Sequence, residues 1–245
     1  MESYTYHDLL AYLGVGGAHP GGLAVTKEIL RDLPIKPTDH ILDAGCGTGQ
    51  TAAYLVNTYG CHVTAIDQHP MMVEKARERF SNQKNQVDLL EGNVEAMDLE
   101  TGSFDFIVVE SVTVFTTIRK TVNEYARLLR KGGILLDLEM TAGFPFAKEE
   151  IDEFQSLYGI REVPGQAEWM QLFKTAGFHT VAIVKEHTVA EAVNEESFQA
   201  DAVFDQEIDL SEPLDPVLYE IWFQHQALTQ RFADVLKYVV YKAEL

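Results

Sequence analysis

The sequence predicts an α/β fold with a doubly wound, mostly parallel sheet of seven strands, covered by helices and by a helical cap. Short apolar segments alternate with helical segments from residue 40 to residue 138, which is typical of parallel strands joined by crossover helices. The segment Phe104–Val109 is nearly continuous in apolar residues, as expected for a strand buried on both faces. The last strand follows a long helix at the end of the chain, and we expect it to pair antiparallel.

The elements of the first half follow from periodicity and from helix boundary signals. Apolar spacing predicts helices over 3–13 and 23–33, separated by a glycine-rich turn and ended by Pro34 and Pro37. Pro70 stands at the first position of a later helix, and Gly132 and Gly133 are expected to stop another. The predicted strands span 40–43, 61–67, 87–91, 104–109 and 134–138, and the predicted helices between them span 48–59, 70–80 and 117–130.

The second half loses this regular alternation. Residues 141–165 are expected to be irregular or partly helical, followed by a helix over 167–176 and a strand over 180–185. A helix over 216–236 and a strand over 238–243 complete the chain. We interpret residues 1–245 as a single domain with a core of about 34–140, 167–186 and 237–245, and with cap elements over 1–33, 141–166 and 187–236.

Composition limits the functions that the chain can have. The net charge is -19, and no Lys or Arg occurs between Lys185 and Arg231, which argues against a nucleic-acid partner because such binding depends on cationic side chains. Cys46 and Cys61 have no metal-ligand cluster around them and are expected to be free thiols in a reducing compartment. No signal peptide and no apolar run of membrane-spanning length is visible. We therefore expect a soluble, cytoplasmic protein without a metal site or a membrane partner.

The most informative segment is 41–50, Ile-Leu-Asp-Ala-Gly-Cys-Gly-Thr-Gly-Gln, between the first strand and its helix. Glycines at this place let the backbone turn tightly and approach a ligand. A dinucleotide-binding loop has the pattern G-x-G-x-x-G, whereas here Gly45, Gly47 and Gly49 alternate, and Asp43 stands two positions before the first of them.

The pattern Asp43-x-Gly45-x-Gly47-x-Gly49 resembles the first motif of class I S-adenosylmethionine-dependent methyltransferases, and the resemblance covers about residues 33–138. It implies that the loop, with Cys46, surrounds the methionine part of the cofactor S-adenosylmethionine. Asp43 would lie near the ammonium group of that cofactor.

Three later strand ends continue this resemblance. Asp67 ends the second strand, where a carboxylate can accept hydrogen bonds from both ribose hydroxyls; alternatively it caps the helix that begins at Pro70. The resemblance implies that Gln68 lies beside it, that Asn93 and Val94 edge the adenine, and that Glu110 passes the methionine end through backbone contacts. Asn93 departs from the usual Asp of the family but keeps a carbonyl acceptor, and an ordinary polar turn would also explain it.

The catalytic residue is harder to assign because methyl transfer needs a general base only if the acceptor must lose a proton. His19, in a His-Pro-Gly-Gly segment similar to one in several small-molecule methyltransferases, is expected to act as a base, to hold the acceptor or to cap the next helix. Tyr12 is a weaker candidate, and so is Glu139, which is expected to end the fifth strand facing the cleft. His225 lies on an apolar helical stripe and is expected to be a core histidine.

The predicted function is transfer of a methyl group from S-adenosylmethionine to a small-molecule acceptor by in-line displacement. Two alternatives stay open: a cofactor-binding sensor or complex subunit without catalysis, and an NAD-dependent oxidoreductase. The adjacent Trp222 and Phe223 indicate either a homodimer surface or part of the cap.

Overall fold

The computed structural model of the 245-residue chain describes residues 4–82, 86–192 and 213–245. Seven strands form one sheet in the order β3-β2-β1-β4-β5-β7-β6. The first five run parallel, and β7 pairs antiparallel with both β5 and β6. The predicted fold class and the antiparallel last strand are therefore confirmed. The strands are β1 (His40–Ala44), β2 (His62–Asp67), β3 (Val87–Glu91), β4 (Phe104–Glu110), β5 (Leu129–Ala142), β6 (Thr180–Thr188) and β7 (Leu236–Glu244).

Helices cover the sheet and extend over its carboxyl-terminal edge. They are α1 (Tyr6–Leu13), α2 (Gly22–Arg31), α3 (Gln50–Tyr59), α4 (Pro70–Arg79), α5 (Ile118–Leu128), α6 (Lys148–Tyr158), α7 (Gln166–Thr175) and α8 (Pro216–Arg231). Short 3-10 turns span Phe80–Asn82 and Thr113–Phe115. Pro70 stands in the first turn of α4 as predicted, where its missing N–H costs no intrahelical hydrogen bond.

The centre of the sheet is buried on both faces, as the apolar sequence of β4 predicts. Six of the seven β4 residues are buried, and four of the five in β1 are buried as well. Two apolar clusters pack on the opposite faces of these strands. The rigid strand ends at this centre therefore hold the loops that follow them in fixed positions.

The structure corrects the predicted bounds of β5 and of the two helices that precede β5 and β7. β5 spans 14 residues rather than 134–138, because its pairing with β4 begins at Leu129 and its pairing with β7 continues through Ala142. Gly132 and Gly133 lie inside β5 instead of stopping a helix, and Gly132 has a φ of +75° close to the register shift between β4 and β5. The final helix ends at Arg231 rather than at residue 236.

The cap consists of α1, α6 and α8, and α1 contacts α4, α6 and α8. The segment over 141–165, predicted to be irregular or partly helical, contains α6, which begins after Ala147 and ends before Gly159. Part of the predicted cap, residues 193–212, and the first residue of the predicted N-terminal helix, Ser3, lie outside the described residues. None of the helices in the described ranges combines the length and the apolar character that a membrane span needs.

Candidate functional site

A cavity of about 820 Å³ lies beyond the carboxyl ends of the parallel strands. The strand order reverses between β1 and β4, and such a switch point is where open α/β sheets bind ligands. The predicted cofactor residues come from the ends of four strands, and all of them except Gly49 line this cavity: Asp43, Gly45, Cys46, Gly47, Asp67, Gln68, Asn93, Val94 and Glu110.

The glycine loop between β1 and α3 needs its glycines for two different reasons. Gly45, Gly47 and Gly49 have φ values of +79°, +52° and +79°, which side chains disfavour. A Cβ atom on Gly45 would lie 2.3 Å from Val112 Cγ2, and one on Gly49 would lie 2.3 Å from Phe80 Cζ. No atom lies within 4 Å of a Cβ placed on Gly47. The outer glycines therefore allow close packing, and Gly47 presents bare backbone at the cavity.

Asp43 is a buried carboxyl without enough partners. Only 3% of the residue is exposed, and its Oδ2 has no hydrogen-bond partner among the described residues. Burial, reinforced by the charges of Glu110 and Asp67, raises the pKa of Asp43 well above its usual value. A positively charged ligand in the cavity would relieve this cost, so the site fits a cation such as the ammonium or sulfonium of the predicted cofactor.

Asp67 is half-buried and lies at the cavity wall. Its Oδ2 accepts a hydrogen bond from the Gly47 amide at 2.9 Å, and its Oδ1 accepts one from the His69 amide at 2.8 Å. His69 precedes the first residue of α4. The contact with the His69 amide therefore agrees with the alternative prediction that Asp67 caps this helix. Each carboxylate oxygen can accept a second hydrogen bond, which leaves acceptor capacity for a ligand hydroxyl.

Asn93 and Val94 form the turn after β3. The Asn93 Oδ1 accepts a hydrogen bond from the Glu95 amide at 2.8 Å, which is the contact expected of an ordinary polar turn. Val94 is buried, and both residues line the cavity. The turn thus presents an apolar side chain and one amide side chain at the edge of the site.

Glu110 connects three elements through its side chain rather than through backbone contacts. Its Oε1 accepts a hydrogen bond from the Thr26 hydroxyl of α2 and lies 3.3 Å from His19 Nε2, and its Oε2 accepts one from the Thr51 hydroxyl at 2.6 Å. Burial alone would raise the pKa of Glu110, but the charge and hydrogen bond of His19, with the two hydroxyls, hold it below its usual value. The backbone contacts that we expect Glu110 to make with the cofactor stay a prediction, and its side chain has the further role of joining α2 and α3 to the end of β4.

His19 is 2% exposed, and its Nε2 also lies 3.2 Å from Thr26 Oγ1, while its Nδ1 lies 3.3 Å from the carbonyl oxygen of Pro20. Tyr12 is 41% exposed, packs edge-on against Tyr4 at 5.6 Å and does not line the cavity. His19 therefore lies at the cavity within a network of polar side chains, and Tyr12 lies away from it.

The turn after β4 is shaped by one strained residue and one buried carboxyl. Ser111 has a φ of +56°, a left-handed conformation that is uncommon outside glycine. Glu139 Oε1 accepts hydrogen bonds from the amides of Val112 at 2.9 Å and Thr113 at 2.6 Å, and its Oε2 accepts one from Val114 at 3.2 Å. The prediction that Glu139 faces the cleft is wrong: it is fully buried inside β5 and does not line the cavity.

The other side of the cavity is formed by rings that the sequence analysis did not bring together. We call this set, contributed by α1, α6, α8 and the turn after β4, the aromatic chamber; it consists of Tyr6, His7, Phe115, Tyr158, Trp222 and His225. Tyr6 stacks on His225 with ring centroids 5.0 Å apart, and the Tyr158 hydroxyl lies 2.8 Å from His225 Nδ1. The expectation that His225 is a core histidine is wrong, because it lines the cavity.

The comparisons with known proteins decide the family. A model of the family "Methyltransferase domain" matches residues 41–133. An uncharacterised methyltransferase of Bacillus subtilis, YodH, is 32% identical over 97% of this chain and 98% of its own length. The chain belongs to the class I S-adenosylmethionine-dependent methyltransferases. This membership favours S-adenosylmethionine over NAD as the cofactor, against the NAD-dependent oxidoreductase interpretation.

Two more distant matches of this methyltransferase are also named methyltransferases, one found by sequence and one by fold. The O-methyltransferase resE of Aspergillus sclerotiorum is 29% identical over 64% of this chain and 61% of its own length. A crystal structure of phosphoethanolamine N-methyltransferase 2 from Haemonchus contortus, in complex with S-adenosyl-L-methionine, superposes with a TM-score of 0.76 at 20% identity. The superposition covers 99% of this chain but only 57% of the Haemonchus contortus protein.

Proposed function

We propose that this methyltransferase uses S-adenosylmethionine to methylate a small molecule held in the aromatic chamber. The observation that carries the proposal is one continuous cavity lined on one side by the strand-end residues and on the other by the chamber rings. Its volume of about 820 Å³ falls within the range of small-molecule sites. The acceptor that shares this volume with the cofactor is therefore small.

The strand-end residues are proposed to hold the cofactor, which supplies a methyl group on a positively charged sulfur when it is bound. Asp43 would face its positive charge, and Asp67 would accept hydrogen bonds from the ribose hydroxyls. Asn93 and Val94 would contact the adenine. The structural support is the unpartnered oxygen of Asp43, the remaining acceptor capacity of Asp67 and the apolar side chain of Val94 at the cavity wall.

The remaining task of the protein is to orient the acceptor and to exclude water. Orientation alone can lower the activation free energy by several kcal/mol. The fungal relative named an O-methyltransferase favours a hydroxyl oxygen as the atom that receives the methyl group. We propose His19 as a positioning residue rather than a general base, because its Nε2 is already engaged by Thr26 and Glu110.

The cofactor half of the proposal is tested by calorimetric titration of the purified chain with S-adenosylmethionine and S-adenosylhomocysteine, with NADH as the control ligand. Both sulfur compounds should bind saturably, and NADH should not. Asp67→Ala should weaken binding at least tenfold because it removes a charged acceptor from the cavity wall. Glu91→Ala is the matched control, since Glu91 pairs with Asp67 across β2 and β3 but does not line the cavity.

The transfer half is tested by incubating the chain with methyl-labelled cofactor and a collection of small hydroxyl compounds. Transfer of label to any of them by the wild-type chain, and its loss in Asp67→Ala at subsaturating cofactor, would support the proposal. Binding of NADH in place of the sulfur compounds, or equal binding by Asp67→Ala and wild type, would contradict the proposed site.

A further inference from the structure

The described residues that line the cavity include several acidic side chains but no Lys or Arg. The acidic ones are Asp8, Asp43, Asp67, Glu95 and Glu110. The two histidines beside these acids, His19 and His69, already face the carboxylates of Glu110 and Asp8. An anionic group brought into this cavity would therefore lose its hydration without gaining a Lys or Arg partner among the described residues, which is costly.

Asp43, Asp67, Glu95 and Glu110 lie at or just after the strand ends, and Asp8 of α1 faces His69 at 3.2 Å. The six residues of the aromatic chamber, in contrast, are neutral groups. Burial lowers the pKa of His225 to about 4 and also lowers the pKa of His7, so both imidazoles are uncharged near pH 7. Burial raises the pKa of Tyr158 to about 12 and raises that of Tyr6 further. The chamber thus offers hydroxyl and imidazole groups as hydrogen-bond partners, and no charge.

The rings of the chamber lie nearly parallel or edge-on to one another and together form one wall of the cavity. Tyr6 is nearly parallel to His225, with 30° between the ring planes, and to Phe115, with 21° between them. Tyr158 meets Tyr6 edge-on at 4.8 Å and fixes His225 through the hydrogen bond between its hydroxyl and Nδ1. Aromatic surfaces favour stacked or edge-on contact with another ring, and the polar edge of His225 lies within the same wall.

From these observations we propose that the acceptor is an uncharged aromatic molecule with a free hydroxyl group, and that phosphorylated acceptors are excluded. The ring of the acceptor packs on Tyr6 and Phe115. Its hydroxyl makes a hydrogen bond with His225 or Tyr158, which are hydrogen-bonded to each other. This substrate class rests on the proposed function, because it assumes that the chamber is the acceptor side of the methyltransferase site.

Three probes with one ring system separate the possibilities: 2-naphthol is neutral, 2-naphthyl phosphate is anionic and 2-naphthylmethylamine is cationic. Each is titrated calorimetrically into the full chain saturated with S-adenosylhomocysteine. Smaller and larger phenols are titrated in the same way, each together with its phosphate ester, so that a naphthyl ring of the wrong size for the chamber does not decide the result. We expect the neutral member of each pair to bind at least tenfold more tightly than its phosphate ester.

A positive charge introduced beside the chamber should reduce this preference. Gln226 lies on α8, is exposed and lines the cavity, so Gln226→Lys supplies the missing cation without burying it. This variant should raise the affinity for 2-naphthyl phosphate at least fivefold. Gln224→Lys is the matched control, because Gln224 is exposed on the same helix but does not line the cavity; it should leave the affinity unchanged.

Several results would overturn the inference. One is that the phosphate esters bind the wild-type chain as tightly as the phenols do. Another is that the cationic amine binds most tightly of the three probes, and a third is that no phenol binds. Equal effects of Gln226→Lys and Gln224→Lys would show that the chamber does not contact the probe. Failure of S-adenosylhomocysteine to bind would instead contradict the proposed function itself, so the two failures are distinguishable.

Discussion

His19 Nε2 lies 3.3 Å from Glu110 Oε1, and both side chains are almost completely buried. The contact joins the segment before α2 to the end of β4, two parts of the chain that are 91 residues apart. Thr26 and Thr51 complete the hydrogen bonding of the Glu110 carboxylate. A buried carboxylate with this many partners is costly to disturb, because any partner that is removed leaves polar atoms unsatisfied.

Replacing Glu110 with Gln should therefore destabilise the protein. The amide keeps the size of the side chain but loses the charge that faces His19, and one of its two polar atoms can no longer accept a hydrogen bond from a threonine hydroxyl. We expect the free energy of unfolding at pH 7 to fall by about 2–4 kcal/mol. Urea unfolding followed by circular dichroism measures this change.

The pH dependence gives a second readout for the same variant. The pKa of Glu110 is lower in the folded protein than its usual value of 4.5, so its stabilising effect is fully present above that pH and disappears as the pH falls through the folded pKa. The difference between wild type and Glu110→Gln should thus shrink in acid. Glu28→Gln serves as control, because Glu28 pairs with Lys185 at the surface and such pairs contribute at most about 1 kcal/mol. An equal loss in both variants would contradict the role given to Glu110.

The buried carboxyls of Asp137 and Glu139 should give the opposite pH dependence. Burial, with the neighbouring charge of Glu139, raises the pKa of Asp137 well above its usual value, and burial raises the pKa of Glu139 to about 7. The buried hydroxyls of Tyr125 and Tyr241 are the other titratable groups in this cluster, and burial raises the pKa of both. The folded protein thus retains protons that the unfolded chain releases above about pH 4, so the pair destabilises the fold increasingly as the pH rises.

Asp137→Asn should remove most of this dependence. The amide imitates the protonated carboxyl, so the variant should gain stability relative to wild type between pH 5 and pH 8, at most by about 1.4 kcal/mol per pH unit. Urea unfolding at pH 5, 6.5 and 8 measures the trend. Asp88→Asn removes an exposed carboxyl that contacts His62 and should change stability little at any of these pH values. Parallel stability curves for wild type and Asp137→Asn would disprove the explanation.

The parts of the fold and site that could be predicted from the sequence are those that depend on short-range sequence patterns. The alternation of strands and helices, with the rule that ligands bind beyond the carboxyl ends of parallel strands, brought Asp43, Asp67 and Asn93 to one predicted edge. The glycine spacing after β1 identified the loop. These inferences depend only on periodicity and chain order, and the structure has the cavity at that edge.

The aromatic chamber could not be predicted because its members come from helices that meet only in three dimensions. Tyr6, Tyr158 and His225 lie on α1, α6 and α8, and their apolar spacing is the same as that of core residues. Glu139 was misplaced for a related reason. The apolar run ends at Leu138, but pairing with β7 extends β5 to Ala142, so Glu139 lies inside the strand and turns toward the amides of 112–114.

Alanine substitutions at three glycines should separate backbone strain, packing and ligand contact. Gly102 and Gly49 have similar φ values, +71° and +79°, but a Cβ atom meets nothing within 4 Å at Gly102 and lies 2.3 Å from Phe80 Cζ at Gly49. Gly102→Ala should therefore cost only the left-handed conformation, about 1–2 kcal/mol. Gly49→Ala should cost about 1–3 kcal/mol more, because the ring of Phe80 must move.

Gly47→Ala tests whether the loop contacts the cofactor. Its φ of +52° and its open surroundings predict a loss of stability similar to that of Gly102→Ala. Unlike Gly102, however, Gly47 lines the cavity and donates its amide to Asp67, so a methyl group there should weaken S-adenosylhomocysteine binding at least tenfold. Thermal unfolding and calorimetric titration of the three variants measure both quantities. If Gly47→Ala bound S-adenosylhomocysteine as tightly as Gly102→Ala does, the glycine loop would not be the surface that holds this ligand. The glycines of the loop would then serve only the close packing seen at Gly45 and Gly49.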